Sequence, residues 1–379
     1  MNRRKFLKVA GSTGLIFAVG GTAGCAPTDA LGPWNIAATH YPDPMRRALS
    51  YAILAPNPHN RQPWIVDLKS DTEAILICDL DRLLPVTDPF SRQIVIGLGC
   101  FVELFSMAAA DQGYRAEIAY FPEGEPGDEL DRRPIAHMSL SRISEVAPEP
   151  LFAHALVRHT NRNPYDTGRT INADIAQRLR GAPASEVVVG TAIGGTLVQD
   201  LKVLTKDALL TEIKTADAWQ ESVDLMRLGR AEIEANPDGI SLGGAFMEAM
   251  ILFGVLNRKS MADPKSRSFQ IGLDMTEEAA MASMGFVWIN TAGNDRLAQI
   301  EAGRAYMRVA LQVAADGLAM QPMSQALQEY TAMEPFYKMI HDKLTSRSGD
   351  RVQMLARIGY AKEVGAAPRW PLESRLKVS

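Results

Sequence analysis

Apolar residues recur along the chain with two periods, and each period predicts a different element. Over 64–68 (Trp-Ile-Val-Asp-Leu) and 74–78 (Ala-Ile-Leu-Ile-Cys), short runs rich in β-branched residues predict strands. Two more strands are expected over 116–121 and 135–140. Between the two pairs the period lengthens. Ile94, Leu98, Phe101, Val102, Phe105 and Ala109 share one face of a helix expected over 93–112, and Gly113 stands where a helix C-terminus favours glycine. A shorter helix over 46–54 runs into Ala55-Pro56-Asn57-Pro58, where two prolines fix φ and remove donors, so the chain must turn. These elements make a compact α+β unit.

The same order returns near the C-terminus. A helix opening at Gly303-Arg304-Ala305-Tyr306 and closing at Ala314-Ala315-Asp316-Gly317 lies between strands expected over 285–289 and 352–358. Gly99 and Gly113 are 14 residues apart, as are Gly303 and Gly317, a separation of about four helical turns. The pattern reads as a diverged internal duplication. It leaves 197–284 unaccounted for. That stretch holds Trp219, an Asp238-Gly239 turn, Gly243-Gly244 and a Met-rich helix over 245–256. Two readings of it stand: an insertion that packs on the core, or a lid whose glycines permit motion.

Composition narrows the chemistry. A chain of 379 residues with 46% hydrophobic and 22% charged residues is globular, and its length favours two domains. A net charge of −4 with scattered Lys and Arg gives no reason to expect nucleic acid. Cys25, Cys78 and Cys100 are the three cysteines, without CxxC or Cys/His spacing, so neither a metal site nor a disulfide framework is expected.

The first 25 residues read as an address. Asn2-Arg3-Arg4-Lys5-Phe6-Leu7-Lys8 fits a twin-arginine signal, and the apolar stretch after it is too short and too glycine-rich to span a membrane. Thr22-Ala23-Gly24-Cys25 looks like a lipoprotein cleavage box, which leaves Cys25 either lipidated or ordinary. The expectation is export to the periplasm or cell envelope through the twin-arginine machinery, with membrane contact only through the signal or a lipid anchor. That route carries folded proteins, often around a cofactor. Residues 26–40 are expected as a linker, 41–150 as a first half, and 151–379 as a second half containing the insertion at about 197–284.

Four local strings carry a resemblance to the FMN-dependent nitroreductase family. Pro56-Asn57-Pro58-His59-Asn60-Arg61-Gln62-Pro63-Trp64 resembles that family's loop leading to Asn-x-Gln-Pro-Trp, and Arg158-His159-Thr160-Asn161-Arg162 resembles its Arg-x-Ser/Thr-x-Arg opening. Asp316-Gly317-Leu318-Ala319-Met320-Gln321-Pro322 looks like the turn after the core helix, and Gly359-Tyr360 with Pro368-Arg369-Trp370 looks like the family's ending. The layout, over roughly 40–379, is closest to the two-domain Acg-like branch, in which one chain imitates the usual homodimer.

The resemblance implies a nitroreductase-like fold, with two related α/β halves forming a pseudo-dimer and a helical, lid-like insertion. It also implies FMN. A phosphate dianion wants guanidinium forks and a hydroxyl, which points to Arg158, Thr160 and Arg369. A pyrimidine edge shows donors and acceptors together, so Asn60 and Gln62 are expected there, next to Pro56 and Asn57. By resemblance Arg162 faces the flavin edge where negative charge develops, and Met320 and Gln321 supply contacts near N5. No side chain is assigned as a catalytic acid or base. Because the Asn-x-Gln-Pro-Trp string and the Arg-x-Thr-x-Arg string each occur once, one FMN per chain is expected, in a monomer. Two functions follow if FMN is held, beside a third class, a cofactor-free structural lipoprotein on the same fold. One is an FMN oxidoreductase exchanging electrons between a small-molecule donor and a small aromatic or quinone-like acceptor. The other is a lidded, flavin-sequestering protein without NAD(P)H-driven turnover.

Overall fold

The computed structural model describes residues 29–37, 41–143, 147–184 and 187–377. The twin-arginine string and Cys25 lie outside the described residues. The part of the expected linker that is described, 29–37, is not extended. It forms short helical turns whose Trp34 is buried and donates to the Ala367 carbonyl at 2.8 Å.

Helix α1 (Pro44–Ala52) starts on Asp43, whose carboxylate accepts from the Arg46 N–H at 2.8 Å. Strands β1 (Trp64–Leu68) and β2 (Glu73–Cys78) form a hairpin. Helix α2 (Arg92–Asp111) follows, then β3 (Tyr114–Tyr120) and β4 (Pro134–Arg142). The sheet is antiparallel in the order β1-β2-β4-β3. Helix α2 is long and apolar enough to cross a membrane, but it is packed inside the protein as the core helix.

Strand β5 (Val188–Ala192) opens a second sheet that resumes only after a long excursion. The excursion contains α3 (Gly195–Lys214), α4 (Ala216–Asp224), β6 (Met226–Leu228), β7 (Ile240–Leu242), α5 (Ala245–Leu252) and α6 (Arg267–Met281). Strands β6 and β7 pair in parallel as a small sheet of their own. Then come β8 (Gly285–Thr291), helix α7 (Arg296–Ala315), β9 (Ala319–Pro322) and β10 (Arg351–Gly359). The second sheet is antiparallel in the order β5-β8-β10-β9. Strand, strand, helix, strand, strand, with the last strand placed inside the third, thus occurs twice.

The two core helices cross at glycine. A Cβ on Gly99 would overlap the Ile300 carbonyl, and one on Gly303 would overlap the Ile96 carbonyl, so the backbones meet where only glycine fits. Gly303 therefore does not open its helix, as its spacing suggested. The helix begins on Asp295, which accepts from the Ala298 N–H at 2.7 Å, and Gly303 sits at mid-length because the crossing requires it there. Each helix also sends its first arginine into the opposite half. Arg92 donates to the Leu327 and Gln353 carbonyls at 2.7 Å each, and Arg296 to the Gly127 and Asp128 carbonyls at 2.7 Å each. These exchanges bury both cations and lock the halves around one core.

Candidate functional site

A cleft of about 280 Å³ opens beside the N-terminal half of α2. Its walls are the 56–60 loop, the 158–162 segment, Gln321 to Gln325, the insertion, and the C-terminal stretch around Gly365, Ala367 and Arg369. A second cavity of about 400 Å³ shares Arg158, His159, Thr160 and Tyr306 with it and reaches α7, Leu318 and Met320. Of the residues expected at the site, Pro56, Asn57, Asn60, Arg158, Thr160, Arg162, Gln321 and Arg369 line the first cleft. Gln62 and Met320 do not. Gln62 is buried in the loop, and Met320 lies on β9, where its carbonyl accepts from the Asn161 N–H at 2.9 Å and its backbone bridges to Thr160.

The 56–62 loop is held in a costly shape. His59, Asn60 and Gln62 adopt φ of 46°, 51° and 51°, the left-handed region that non-glycine residues avoid. Hydrogen bonds to distant backbone hold it there. Gln62 Nε2 donates to the Pro237 carbonyl at 2.8 Å, and Gln62 Oε1 accepts from the Trp370 N–H at 2.9 Å. Asn60 Nδ2 donates to the Pro368 carbonyl at 2.9 Å, and its Oδ1 accepts from Arg369 at 2.6 Å. Asn57 Oδ1 accepts from the Gln62 N–H at 2.7 Å, and its Nδ2 donates to the Ala55 carbonyl at 3.1 Å.

These occupations correct the role expected of Gln62 from sequence. Gln62 lies off the cleft with both ends of its amide on distant backbone, whereas Asn57 and Asn60 line the cleft, each with one amide N–H committed to backbone. Arg369 is corrected in the same way. Its Nε donates to Ile53, its Nη1 to Asn60 and Pro368, and its Nη2 to Leu54 and Ala55, at 2.6 to 3.1 Å, which uses all five N–H groups. It caps the carbonyl end of α1, where a cation is stabilised. Burial, and secondarily Arg158, pushes its guanidinium down to about 9.

Arg158 and Arg162 are different. Arg158 is 6% exposed and its Nε has no hydrogen-bond partner among the described residues. Arg162 has no ion-pair or hydrogen-bond partner for its guanidinium among the described residues. Burial holds both below the usual arginine value, and Arg357 adds repulsion at Arg162. His59 and His159 add no charge at neutral pH. Burial, then Arg162 and Arg61, pushes His59 down to about 4; burial, then Arg158 and Arg369, does the same to His159. His59 Nδ1 has no partner either, while His159 packs edge-on against Trp34 at 5.2 Å. A desolvated cation without a counter-charge costs several kcal/mol. Among the described lining residues the one carboxyl is Glu212, on the insertion. The geometry asks for an anion beside Arg158, Thr160 and Arg162.

The insertion supplies the remaining wall with Leu209, Ile213, Trp219, Met226, Ile240 and Met275. It is fastened through Asp238. That buried carboxylate accepts from Arg82 at 2.7 Å, Arg227 at 2.6 Å and Trp370 Nε1 at 3.1 Å. Burial alone would raise its pKa, but the Trp370, Arg82 and Arg227 bonds together outweigh it and hold the group low. The Gly239 N–H adds a bond to the Asn60 carbonyl at 3.2 Å.

Sequence reasoning missed Arg357 and Glu212, and read Asp238 only as part of a turn. Arg357, fully buried on β10, donates to Gln321 Oε1 at 2.7 Å and to the Ala279 and Asn163 carbonyls at 2.6 and 2.9 Å, and so orients Gln321 from behind. A lone arginine inside the apolar run 352–358 was the available signal. Asp238 and Glu212 carried none, because their partners are set by the path of the insertion.

No protein-family model matches the chain. It is 26% identical over 355 residues to the "Putative NAD(P)H nitroreductase Rv3131" of Mycobacterium tuberculosis (strain ATCC 25618 / H37Rv), covering 92% of this chain and 94% of that protein. It is 24% identical over 339 residues to the "Putative NAD(P)H nitroreductase acg" of the same strain, covering 87% of this chain and 94% of that one. Among solved structures, the FMN-dependent nitroreductase NfnB of Mycobacterium smegmatis, in complex with NADPH, is similar with a TM-score of 0.34 and 15% identity, covering 60% of this chain and 98% of that one.

Proposed function

We propose that the chain is an FMN-dependent oxidoreductase of the nitroreductase kind, holding one FMN in the arginine-lined cleft. The observation that carries this reading is buried Arg158 with half-buried Arg162, beside Thr160, with no anion to answer either among the described residues. The unpaired Arg158 Nε and His59 Nδ1 are the polar atoms a phosphorylated heteroaromatic group would satisfy. The near full-length likeness to relatives named as NAD(P)H nitroreductases supports it.

When bound, FMN supplies the hydride-transfer centre. The chain's own residues do the rest. Arg158 and Thr160 hold the phosphate, and Arg162 stabilises negative charge at the ring edge. Arg369, Asn60 and Gln62 position the loop that closes the cleft, and Arg357 holds Gln321 toward it. Equilibrium dialysis of FMN tests the assignment. Arg158→Ala and Arg162→Ala should each weaken binding at least ~100-fold, the scale expected when a desolvated charge partner is removed. Unchanged FMN affinity in both would sink it.

The matched sheet orders and the glycine crossing support reading 41–150 and 151–379 as two related halves, with the second interrupted by the insertion. This internal pairing makes a monomer the expected form. Export by the twin-arginine route rests on the Arg3-Arg4 string alone. NAD(P)H is the donor that the relatives' names give, but an exported chain meets little of it, so another small-molecule donor fits that location better.

The Asp238 latch favours a second reading, in which the insertion keeps FMN sequestered. Anaerobic NADPH separates the two. Bleaching of bound flavin marks a working reductase, and flavin that only dithionite bleaches marks a sequestering protein.

A further inference from the structure

One stretch of the insertion turns an apolar side outward. Residues 245–256, Ala-Phe-Met-Glu-Ala-Met-Ile-Leu-Phe-Gly-Val-Leu, hold a single charged residue. They form α5 and the turn after it, which Asn257 closes by donating from Nδ2 to the Gly254 carbonyl at 3.1 Å. Met247 and Met250 are buried, whereas Leu252 is 82% exposed, Phe253 68% and Phe246 38%. Glu248 does not interrupt that side, because its carboxylate turns back to accept the Arg230 N–H. Exposed apolar surface that is contiguous marks a protein or membrane contact.

The surroundings decide between the two. Past the turn the chain is basic: Lys259, Lys265 and Arg267 are exposed and form no ion pair among the described residues, and Asp263 is the one carboxylate over 257–267. The carboxylates of the neighbouring helix, Gly229–Ala235, are answered, Glu232 by Arg258 and Glu234 by Arg230, each at 2.6 Å. In a chain whose net charge is −4 this is a local excess of cations beside an apolar ridge. Such a ridge fits an anionic bilayer, whose headgroup boundary takes up the apolar side chains while its phosphates meet the cations. A symmetric contact with a second copy would set the same cations against each other.

The start of the fold lies on the same side. Asp29–Leu31 lie against the helix Gly229–Ala235, and that helix lies against α5. Cys25 precedes Asp29 by four residues, a reach of at most about 14 Å. A signal in the membrane, or a lipid on Cys25, would hold this side to it.

We propose that α5 and the turn after it are a docking surface for an anionic phospholipid bilayer, with Leu252 entering the headgroup boundary and Lys259, Lys265 and Arg267 at the rim. This departs from the expectation that the chain meets a membrane only through its signal or an anchor. Because α5 also lies against β6, whose Met226 lines the cleft, the docked side is the outer surface of the cleft's wall. The proposal stands apart from the FMN reading.

The test uses the full chain carrying Cys25→Ala, so that no lipid anchor contributes, and vesicles of phosphatidylcholine with about 30% phosphatidylglycerol. In that parent, Phe246→Glu with Leu252→Glu should weaken vesicle binding at least ~10-fold, the scale of losing large apolar side chains from the headgroup boundary. Lys259→Glu with Lys265→Glu should weaken it at least ~5-fold, a difference that about 0.5 M salt removes. The signal stretch is common to all three chains, so hydrogen exchange locates the contact: the amides of 245–256 in the parent should exchange more slowly once vesicles are added. Equal binding by the parent and either variant, no binding by the parent, or exchange at 245–256 that vesicles leave unchanged overturns the proposal. Slowing that needs no vesicles and grows with protein concentration marks an interface between copies and overturns it as well. Should the variants fail to fold, exchange in the parent decides.

Discussion

Arg158 sets function against stability. In the cofactor-free protein it is a buried cation with an unpaired Nε, and replacing such a group by an apolar one of similar volume stabilises by about 1–3 kcal/mol. Arg158→Met should therefore raise the denaturant midpoint of the apoprotein while abolishing FMN uptake. A variant that is both less stable and still flavin-loaded would contradict its placement. Arg369→Met should do the opposite, lowering the midpoint, because five hydrogen bonds to the 53–60 loop and Pro368 are lost. His59 and His159 give a pH signature. Their folded values, about 4, lie below the ordinary 6.5, so the stability they contribute is present above pH 6.5 and is lost as pH falls through 4. Asp88 and Glu212, raised to about 6 and about 7, act in the opposite sense, losing stability as pH rises through those values. The histidine part is isolated by comparison. Between about pH 6.5 and 4, the thermal midpoint of a His59→Gln, His159→Gln double variant should fall less than that of wild type. At this scale the sequence disclosed which residues gather and not what they do. Arg158, Arg162 and Asn60 were visible in short strings, but the amide of Gln62 is committed to Pro237, 175 residues away, and that of Asn60 to Pro368, 308 residues away. No local pattern encodes such partners.

Elements were legible where their periodicity is long. Helix α2 and strands β1 to β4 lie within a few residues of the pattern, since one buried face fixes each register. Strand β5 escaped because Val188-Val189-Gly190-Thr191-Ala192 is short and carries a glycine, over which the Trp288 ring of β8 lies. The start of α7 was misplaced because a crossing glycine resembles a boundary when its partner helix is unknown. That crossing is testable. Gly99→Ala and Gly303→Ala should each cost about 1–3 kcal/mol from overpacking, and the pair should be non-additive because they share one contact. The insertion's latch is testable as well. Asp238→Asn weakens the bonds to Arg82 and Arg227, and stopped-flow release of FMN should quicken about tenfold, a change of ~1.4 kcal/mol. If the protein sequesters flavin, the same variant should gain bleaching by NADPH; an unaltered release rate would show that Asp238 does not hold the insertion closed.

At the scale of the whole molecule, two halves of like topology pack around one core. The sheets share an order, the core helices exchange arginines across their crossing, and 193–284 occupies the place where the first half has only the short turn between β1 and β2. The repeat was legible in the spacing of glycines. The cleft's far wall was not, because residues such as Trp219, Met226 and Met275 look like any insertion core until the chain path brings them over the loop. The most direct test of the account is the stoichiometry of FMN bound by reconstituted apoprotein, measured together with its native mass. One FMN per chain in a monomer, falling to none in Arg158→Met, is the expected result. Two FMN per chain, or flavin uptake that survives the loss of Arg158, would contradict it.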